Sequence, residues 1–235
     1  MTELNIVALL PMKAHSERVK GKNFRTLNGK PLFRWILDTL LDLPAITQVV
    51  INTDARSVLS DNGLVETDRI RIRDRRSQLC GDFVSMNHIL ADDIAATPGD
   101  VFLMTHTTNP LLSPATIQKA IDQFTYLRSS GESDSLFSVN RFQTRFYRQD
   151  GSPVNHDPNH LLRTQDLEPW YEENSNLYLF TRDSFHQTQA RIGQHPVMFE
   201  TPRLESIDID DEVDWQLAEA VAQYLHPLVG ARVAA

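Results

Sequence analysis

Two stretches of this sequence carry chemistry by residue type and spacing. Between Lys13 and Lys30 stand Lys13, Arg18, Lys20, Lys22, Arg25 and Lys30, with Glu17 as the one acid. Between Glu205 and Glu219 the balance inverts: Glu205, Asp208, Asp210, Asp211, Glu212, Asp214 and Glu219 occur without a Lys or Arg. Basic side chains, with Ser16 and exposed backbone N–H groups, can meet several phosphate oxygens. In an extended segment Asp208 and Asp210 fall on one side and Ile209 on the other. Two like charges so close favour a cation between them, and a hard ion prefers carboxylate oxygen. Two other readings fit the same residues. They could be solvated charged faces, or Asp210, Asp211 and Glu212 could complement the dipole of a final helix.

The elements that would position these residues follow from hydrophobic patterning. Leu4–Leu10 is a continuous apolar run ending at Pro11, which predicts a buried strand of a parallel sheet. The basic loop follows it, where the carboxyl ends of strands form the ligand crevice of an open α/β sheet. Pro31 fits the first position of a helix, and Leu32, Phe33, Trp35, Ile36, Leu37, Leu40 and Leu41 continue at helical spacing. Gln48–Asn52 predicts the next strand, completing a βαβ unit. The alternation goes on with a helix over 55–62, a strand near 70–72, a helix over 84–96 and a strand over 101–105. Ser113 and Pro114 then open another helix, before a strand over 136–139. Residues 140–172, with Pro153, Pro158 and Pro169, read as an insertion serving as an arm or lid. A strand over 177–180, a helix over 182–190, a strand over 197–199 and an amphipathic helix over 211–224 close the chain. The expectation is one domain over 1–235: a three-layer α/β/α architecture with a mainly parallel, Rossmann-like sheet.

Composition excludes several classes. At 235 residues, 41% hydrophobic and 23% charged, the chain is large and apolar enough to bury a core. The net charge of −8 argues against general nucleic-acid binding. No apolar run reaches membrane-spanning length, and residues 1–12 lack the basic start of a signal peptide; a cytoplasmic protein is expected. The single cysteine, Cys80, excludes an internal disulfide framework and any multi-Cys zinc site. G-x-G, Walker A and G-x-S-x-G signatures are missing. His156 and His160 are four apart, but Pro158 between them opposes a helical metal pair.

The first loop, Ser16-x-Arg18-x-x-Gly21-Lys22-Asn23 with Lys13 three places before the serine, resembles that of the sugar-acid cytidylyltransferases. These are the acylneuraminate (CMP-sialic acid type) enzymes and their Kdo-activating relatives. The resemblance continues through Leu27-Asn28-Gly29-Lys30-Pro31-Leu32, Ile51-Asn52-Thr53-Asp54, Leu79-Cys80-Gly81-Asp82 and Thr107-Thr108-Asn109-Pro110-Leu111. It ends at Ser206-Ile207-Asp208-Ile209-Asp210, and the motifs occur in the family's order. The resemblance implies a fold of nucleotidyltransferase type and transfer of CMP from CTP to the anomeric hydroxyl of a sugar acid, with release of pyrophosphate. It implies catalytic roles for Lys22, Arg18 and Asp210, with Lys13, Arg18 and Lys22 holding triphosphate oxygens beside Ser16. Asn23, Thr53, Asp54 and Asp82 would line the nucleoside pocket, and Asp208 and Asp210 would hold Mg2+. Thr108, Asn109, Arg163, Gln165 and Asn174 are candidates for the acceptor, and the insertion would pack across the two-fold of a homodimer.

Departures bear on the acceptor. Lys13 stands where arginine is usual, and a point charge grips phosphate without a bidentate fork. Lys20 stands where a proline is common. His106 and Thr107 replace a Gln-Pro pair, and Glu172-Glu173 stand where a basic residue enters the late strand in the family. These point to an unusual nonulosonic acid. Kdo or another sugar acid, or a non-catalytic nucleotide-binding relative, are the alternative readings. The one D-x-D, at Asp208–Asp210, precedes the last helix and so suits a glycosyltransferase poorly.

Overall fold

The computed structural model describes residues 4–13, 16 and 18–227. In chain order the elements are β1 (Ile6–Leu9), β2 (Thr26–Leu27), β3 (Lys30–Pro31), α1 (Leu32–Leu41), β4 (Ile46–Thr53), α2 (Arg56–Asp61), β5 (Ile70–Asp74) and α3 (Met86–Ala96). They continue with β6 (Val101–Thr105), α4 (Pro114–Ser129), β7 (Ser135–Phe142), β8 (Trp170–Thr181), α5 (Arg182–Thr188), β9 (Pro196–Glu200) and α6 (Glu212–Leu225). Seven strands form one sheet in the order β5-β4-β1-β6-β8-β7-β9. Every pairing is parallel except those of β8 with β6 and β7, so β8 alone runs against the rest.

Strand alternation sorts the core into two layers. Ile6 and Ala8, Val49 and Ile51, Val101 and Leu103, and Leu177 and Leu179 face one side, against Phe33, Ile36 and Leu40 of α1 and Ile117 and Phe124 of α4. Val7, Leu9, Val50, Phe102, Met104, Tyr178 and Phe180 face the other, against Leu90 and Ile94 of α3 and Phe185 of α5. The result is the expected helix–sheet–helix sandwich. A third cluster, away from the sheet, joins Val19, Leu27, Leu32, Trp35, Leu111 and Ile209 to Trp215, Ala218 and Ala222 of α6. It fastens the basic loop and the acidic turn to each other.

The helices start where their caps require. The Ser113 side chain accepts from Thr116 N at 3.2 Å, with Pro114 following, and Ser85 accepts from Asn87 N at 3.3 Å. At α6, Asp211 accepts from the backbone N–H groups of Val213 and Asp214, at 2.8 and 3.0 Å. Asp214 accepts from those of Asp210 and Asp211, at 3.0 and 3.1 Å. Of the three acids read as complementing this helix, Asp211 supplies the cap and Glu212 lies in the first turn, whereas the Asp210 side chain stays outside; Asp214, not foreseen in this role, completes the capping box, and Asp208 also lies outside it.

Two features depart from the sequence reading. The β2–β3 hairpin was not foreseen; its turn is Asn28-Gly29, with φ of 44° and 85°, the two positive values that a two-residue hairpin demands. It displaces Pro31 from the helix to the position just before it. The segment read as an insertion, 140–172, opens and closes on paired strand ends: Asn140 opposes Glu172, Arg141 opposes Tyr171, and Phe142 opposes Trp170. Exposure of Trp170, Tyr171, Glu172 and Glu173 removes the apolar run that marks a buried strand, so β8 begins seven residues before the predicted Leu177. What lies between, 143–169, holds two isolated bridges and a 3-10 turn at Thr164–Asp166. Among the described residues no helix is long and apolar enough to cross a membrane.

Candidate active site

Because β1, β4, β5 and β6 are parallel, their carboxyl ends share one edge, and the loops leaving them enclose a cavity of about 410 Å³. The loop after β1 contributes Lys13, Ser16, Arg18, Lys22 and Asn23. The segments after β5 contribute Arg75, Gly81, Asp82 and Val84; β6 leads to His106, Thr107 and Thr108; Asp210 closes the wall.

The basic loop is held by its backbone and by two buried side chains. Gly21 takes φ 64°, a left-handed conformation that glycine adopts without steric cost, and starts the 3-10 turn Lys22–Phe24. Val19 points into the third cluster, which leaves its neighbour Arg18 exposed. Asn23 donates to the Lys13 carbonyl at 2.8 Å and accepts from Thr107 Oγ1 at 2.6 Å, tying the loops after β1 and β6 together. Asn23 thus stands at the cavity with its amide already engaged.

The acidic turn meets the loop directly. Arg18 Nη2 lies 2.9 Å from Asp210 Oδ1, and Lys22 Nζ lies 4.0 Å from the same atom while donating to the Ile209 carbonyl. Ile209 N donates to the Thr108 carbonyl at 2.9 Å, which sets the acidic turn against the loop after β6. Burial pushes the Lys22 ammonium below its usual range, against the opposing pull of Asp210 and Asp208. Burial pushes Asp208 up, a side-chain hydrogen bond with Thr108 lowers it, and the Asp210 charge raises it further. Asp208 Oδ1 is buried with no hydrogen-bond partner among the described residues. Across the cavity Lys13 Nζ pairs with Asp82 Oδ1 at 2.6 Å. His106 is pushed down to about 3, first by burial and then by the Arg191 and Lys22 cations, and is neutral at physiological pH.

The structure thus brings Lys13, Ser16, Arg18, Lys22, Asn23, Asp82, Thr108 and Asp210 to one cavity. The other residues singled out from the sequence lie outside its lining. Thr53 is buried beneath the site and its carbonyl accepts from Arg75 N at 2.7 Å; Asp54 is exposed on the same edge. Asn109 is buried and donates to the Ile207 carbonyl at 3.5 Å, bracing the segment that carries Asp208. Arg163 pairs with Asp166 at 2.7 Å inside the arm, where Gln165 gives its carbonyl to Gln143. Asn174 is buried in the β7–β8 pairing, donating to Asn140 Oδ1 and Thr201 Oγ1 at 3.0 and 2.7 Å.

Sequence reading missed Arg75 and left His106 as a mere departure. The signal for both was their place immediately beyond a parallel strand. Arg75 Nε and Nη2 donate to Asn52 Oδ1 and to the Asn52 carbonyl, both at 2.9 Å, and Arg75 lines the cavity together with the apolar Met12, Val84, Met86 and Ile89. Beyond His106, the Arg191 guanidinium stacks 3.8 Å from the centroid of the Tyr178 ring and pairs with Glu173 at 3.3 Å; the Tyr178 hydroxyl also donates to Glu173.

A family model described as cytidylyltransferase matches residues 7–224. The chain is 27% identical over 223 residues to an N-acylneuraminate cytidylyltransferase of Oncorhynchus mykiss, an alignment covering 92% of this chain and 50% of the relative. It is also 27% identical over 233 residues to a CMP-N,N'-diacetyllegionaminic acid synthase of Legionella pneumophila, covering 94% and 97%. It thus spans about half the length of the fish protein and nearly all of the bacterial one. The fold is similar to that of a CMP:2-keto-3-deoxy-manno-octonic acid synthetase complexed with CTP, at TM-score 0.64 and 14% identity over 94% of this chain and 99% of that one. It is also similar to a 4-diphosphocytidyl-2C-methyl-D-erythritol synthase from Anaerococcus prevotii, at TM-score 0.67 and 12% identity over the same shares.

Proposed function

The chain belongs to the cytidylyltransferase family, and from that premise we propose that it transfers CMP from CTP to the anomeric hydroxyl of a nonulosonic, sialic-type sugar acid and releases pyrophosphate. The observation that carries this reading is the cavity in which Lys13, Arg18 and Lys22 face Asp210 at the carboxyl edge of the sheet. The relatives reported above bear the names of an N-acylneuraminate cytidylyltransferase and a CMP-N,N'-diacetyllegionaminic acid synthase, which supports an acceptor of this class.

The apolar and the basic lining of the cavity suit the two parts of a nucleotide. Its apolar lining, Met12, Val84, Met86 and Ile89, together with Arg75, suits a base presenting a carbonyl oxygen to a cationic donor. The basic loop suits the triphosphate. Lys13, Arg18 and Lys22 would neutralise its oxygens and orient the α-phosphorus for in-line attack, and positioning and charge neutralisation supply most of the catalysis in such a transfer. Arg18 and Lys13 now pair with Asp210 and Asp82, so phosphate would displace carboxylate at each cation. His106, neutral and at the cavity wall, offers the acceptor a hydrogen bond without repelling Lys22 or Arg191.

Asp208 and Asp210 fit Mg2+. The buried Oδ1 of Asp208, unpartnered among the described residues, and the Asp210 carboxylate, which Arg18 and Lys22 now share, are hard oxygen donors. Bound there, Mg2+ would supply Lewis-acid neutralisation of the phosphate oxygens. The arm exposes Tyr147, Leu161, Leu162, Trp170 and Tyr171, apolar surface that supports a homodimer formed through this segment.

The test is pyrophosphate release by the purified protein with CTP, Mg2+ and a panel of sialic, legionaminic and pseudaminic acids and Kdo. Release with a nonulosonic acid, lost in Asp210→Ala, is expected. Release with Kdo alone would replace the acceptor, and the absence of both release and calorimetric CTP binding would refute the reading.

A further inference from the structure

Behind Arg75 lies a chain of buried polar groups that takes no part in the chemistry above. Asn52, at the end of β4, and Asp93, on α3, are both fully buried. Asn52 Nδ2 donates to Asp93 Oδ1 at 2.7 Å, and Asn52 Oδ1 accepts from Arg75 Nε at 2.9 Å. The same Asp93 Oδ1 also accepts from Arg73, whose Nη2 pairs with Asp92 at 2.8 Å, while Asp93 Oδ2 is buried without a hydrogen-bond partner among the described residues.

The direction of each bond is dictated by chemistry. A guanidinium only donates and a carboxylate only accepts. An asparagine amide could turn by half a revolution, but turned that way its NH2 would face Arg75 and its oxygen would face Asp93. Both contacts would then be repulsive. Asp93 therefore fixes the orientation of Asn52, and Asn52 fixes that of Arg75.

Arg75 is held by Nε and Nη2, the latter also 3.4 Å from the Met12 carbonyl. Its Nη1 has no acceptor among the described residues, and the side chain lines the cavity. The N–H groups of this nitrogen can only donate, which suits the acceptor edge of cytosine, where N3 and O2 both accept. Uracil presents a donor at N3 and would meet one of those N–H groups head-on.

We propose that Asn52 and Asp93 are positioning residues that lock Arg75 as the reader of the nucleobase and so set the preference for CTP over UTP. This rests on the nucleotide reading given above. Asn52 acts through Arg75 alone, and Asp93 acts through Asn52.

The experiment measures kcat and KM for CTP and for UTP in wild type, Asn52→Ala, Arg75→Ala, the double variant, Asp93→Ala and Asp93→Asn, with calorimetric CTP binding alongside. Asn52→Ala is expected to raise KM for CTP by about tenfold, the worth of a hydrogen bond to a charged group. Its kcat at saturating CTP should stay within about threefold, and its CTP-to-UTP preference should narrow. The double variant should match Arg75→Ala, because residues acting as one unit are not additive. Asp93→Asn keeps an acceptor for Asn52 and should rescue the preference that Asp93→Ala loses. Where a variant is too unstable to assay, Asp93→Asn and Arg75→Ala decide alone: the first should keep the base preference and the second lose it. Additive effects, or an unchanged preference in Asn52→Ala, would overturn the inference while the nucleotide reading stands. Wild type that neither binds CTP nor releases pyrophosphate would overturn both.

Discussion

Trp215 is the structural joint between the basic loop and the acidic turn, and Trp215→Ala should show it in two readouts. The indole is 2% exposed and packs among Val19, Leu27, Leu32, Leu111 and Ile209. Arg25 lies 4.1 Å from its ring centroid and pairs with Glu212 at 2.6 Å. Truncating a buried tryptophan to alanine costs about 3–5 kcal/mol in transfer and cavity terms. Loss of the Arg25 stacking adds about 0.5–1 kcal/mol at a site as open as this one. A loss of about 4 kcal/mol lowers Tm by roughly 8–16 °C in a chain of this size, at 2–4 °C per kcal/mol. The second readout is functional. Val19 adjoins Arg18, and Ile209 separates Asp208 from Asp210; both apolar side chains are anchored on the same indole. Loosening them should raise KM for CTP at a temperature where the variant remains folded. Urea unfolding and pyrophosphate release measure the two effects, and Trp215→Phe, which keeps a ring, should recover most of each. A stability loss under about 1 kcal/mol would refute the packing argument. A full stability loss with unchanged KM would refute the claim that this cluster positions the site.

Asp210→Asn removes the carboxylate shared by Arg18 and Lys22, and should lower kcat by about a hundredfold or more and raise the Mg2+ needed for half-maximal rate; a Mg2+ titration of pyrophosphate release checks this. Asp93 is pushed up to about 6 by burial, against hydrogen bonds from Asn52 and Arg73. With an unfolded value near 3.8 the native state binds the extra proton between the two, so stability falls as pH rises through that window, by about 3 kcal/mol in all. Urea midpoints between pH 4 and pH 7 should lose this slope in Asp93→Asn, and parallel profiles would refute it. Leu161→Glu with Leu162→Glu, on the exposed arm, should convert a dimer to a monomer in light scattering.

What was legible in the sequence was what apolar periodicity or short-range chemistry encodes. The runs at 4–10, 101–105 and 177–180 marked buried strands because both faces of the central sheet are covered by helices, and Ser113-Pro114 marked a helix start by its capping chemistry alone. The acidic turn was ambiguous for a physical reason: one segment supplies the cap, through Asp211 and Asp214, and the carboxylates that face the basic loop, through Asp208 and Asp210. Only three-dimensional placement separates them. The hairpin at Asn28-Gly29 was legible and went unread.

Arg75 shows where pattern stops and placement begins. Along β5, Ile70 and Ile72 alternate with Arg71 and Arg73, which reads as a half-solvated strand. The arginines instead run toward α3: Arg71 Nη1 donates to the Ala96 carbonyl at 3.0 Å, and Arg73 pairs with Asp92 and Asp93. Arg75, one further period along, passes the end of the strand and turns to Asn52. A row of like charges on one strand face is tolerated only where acceptors are built opposite it. Asp92-Asp93, which in the sequence reads as the wet face of a helix, is that acceptor set. The polar pattern of β5 and that of α3 each signal solvent when read alone. Read as a pair they signal burial, and the last arginine of the row, left with one nitrogen uncommitted at the cavity, is where burial turns into recognition.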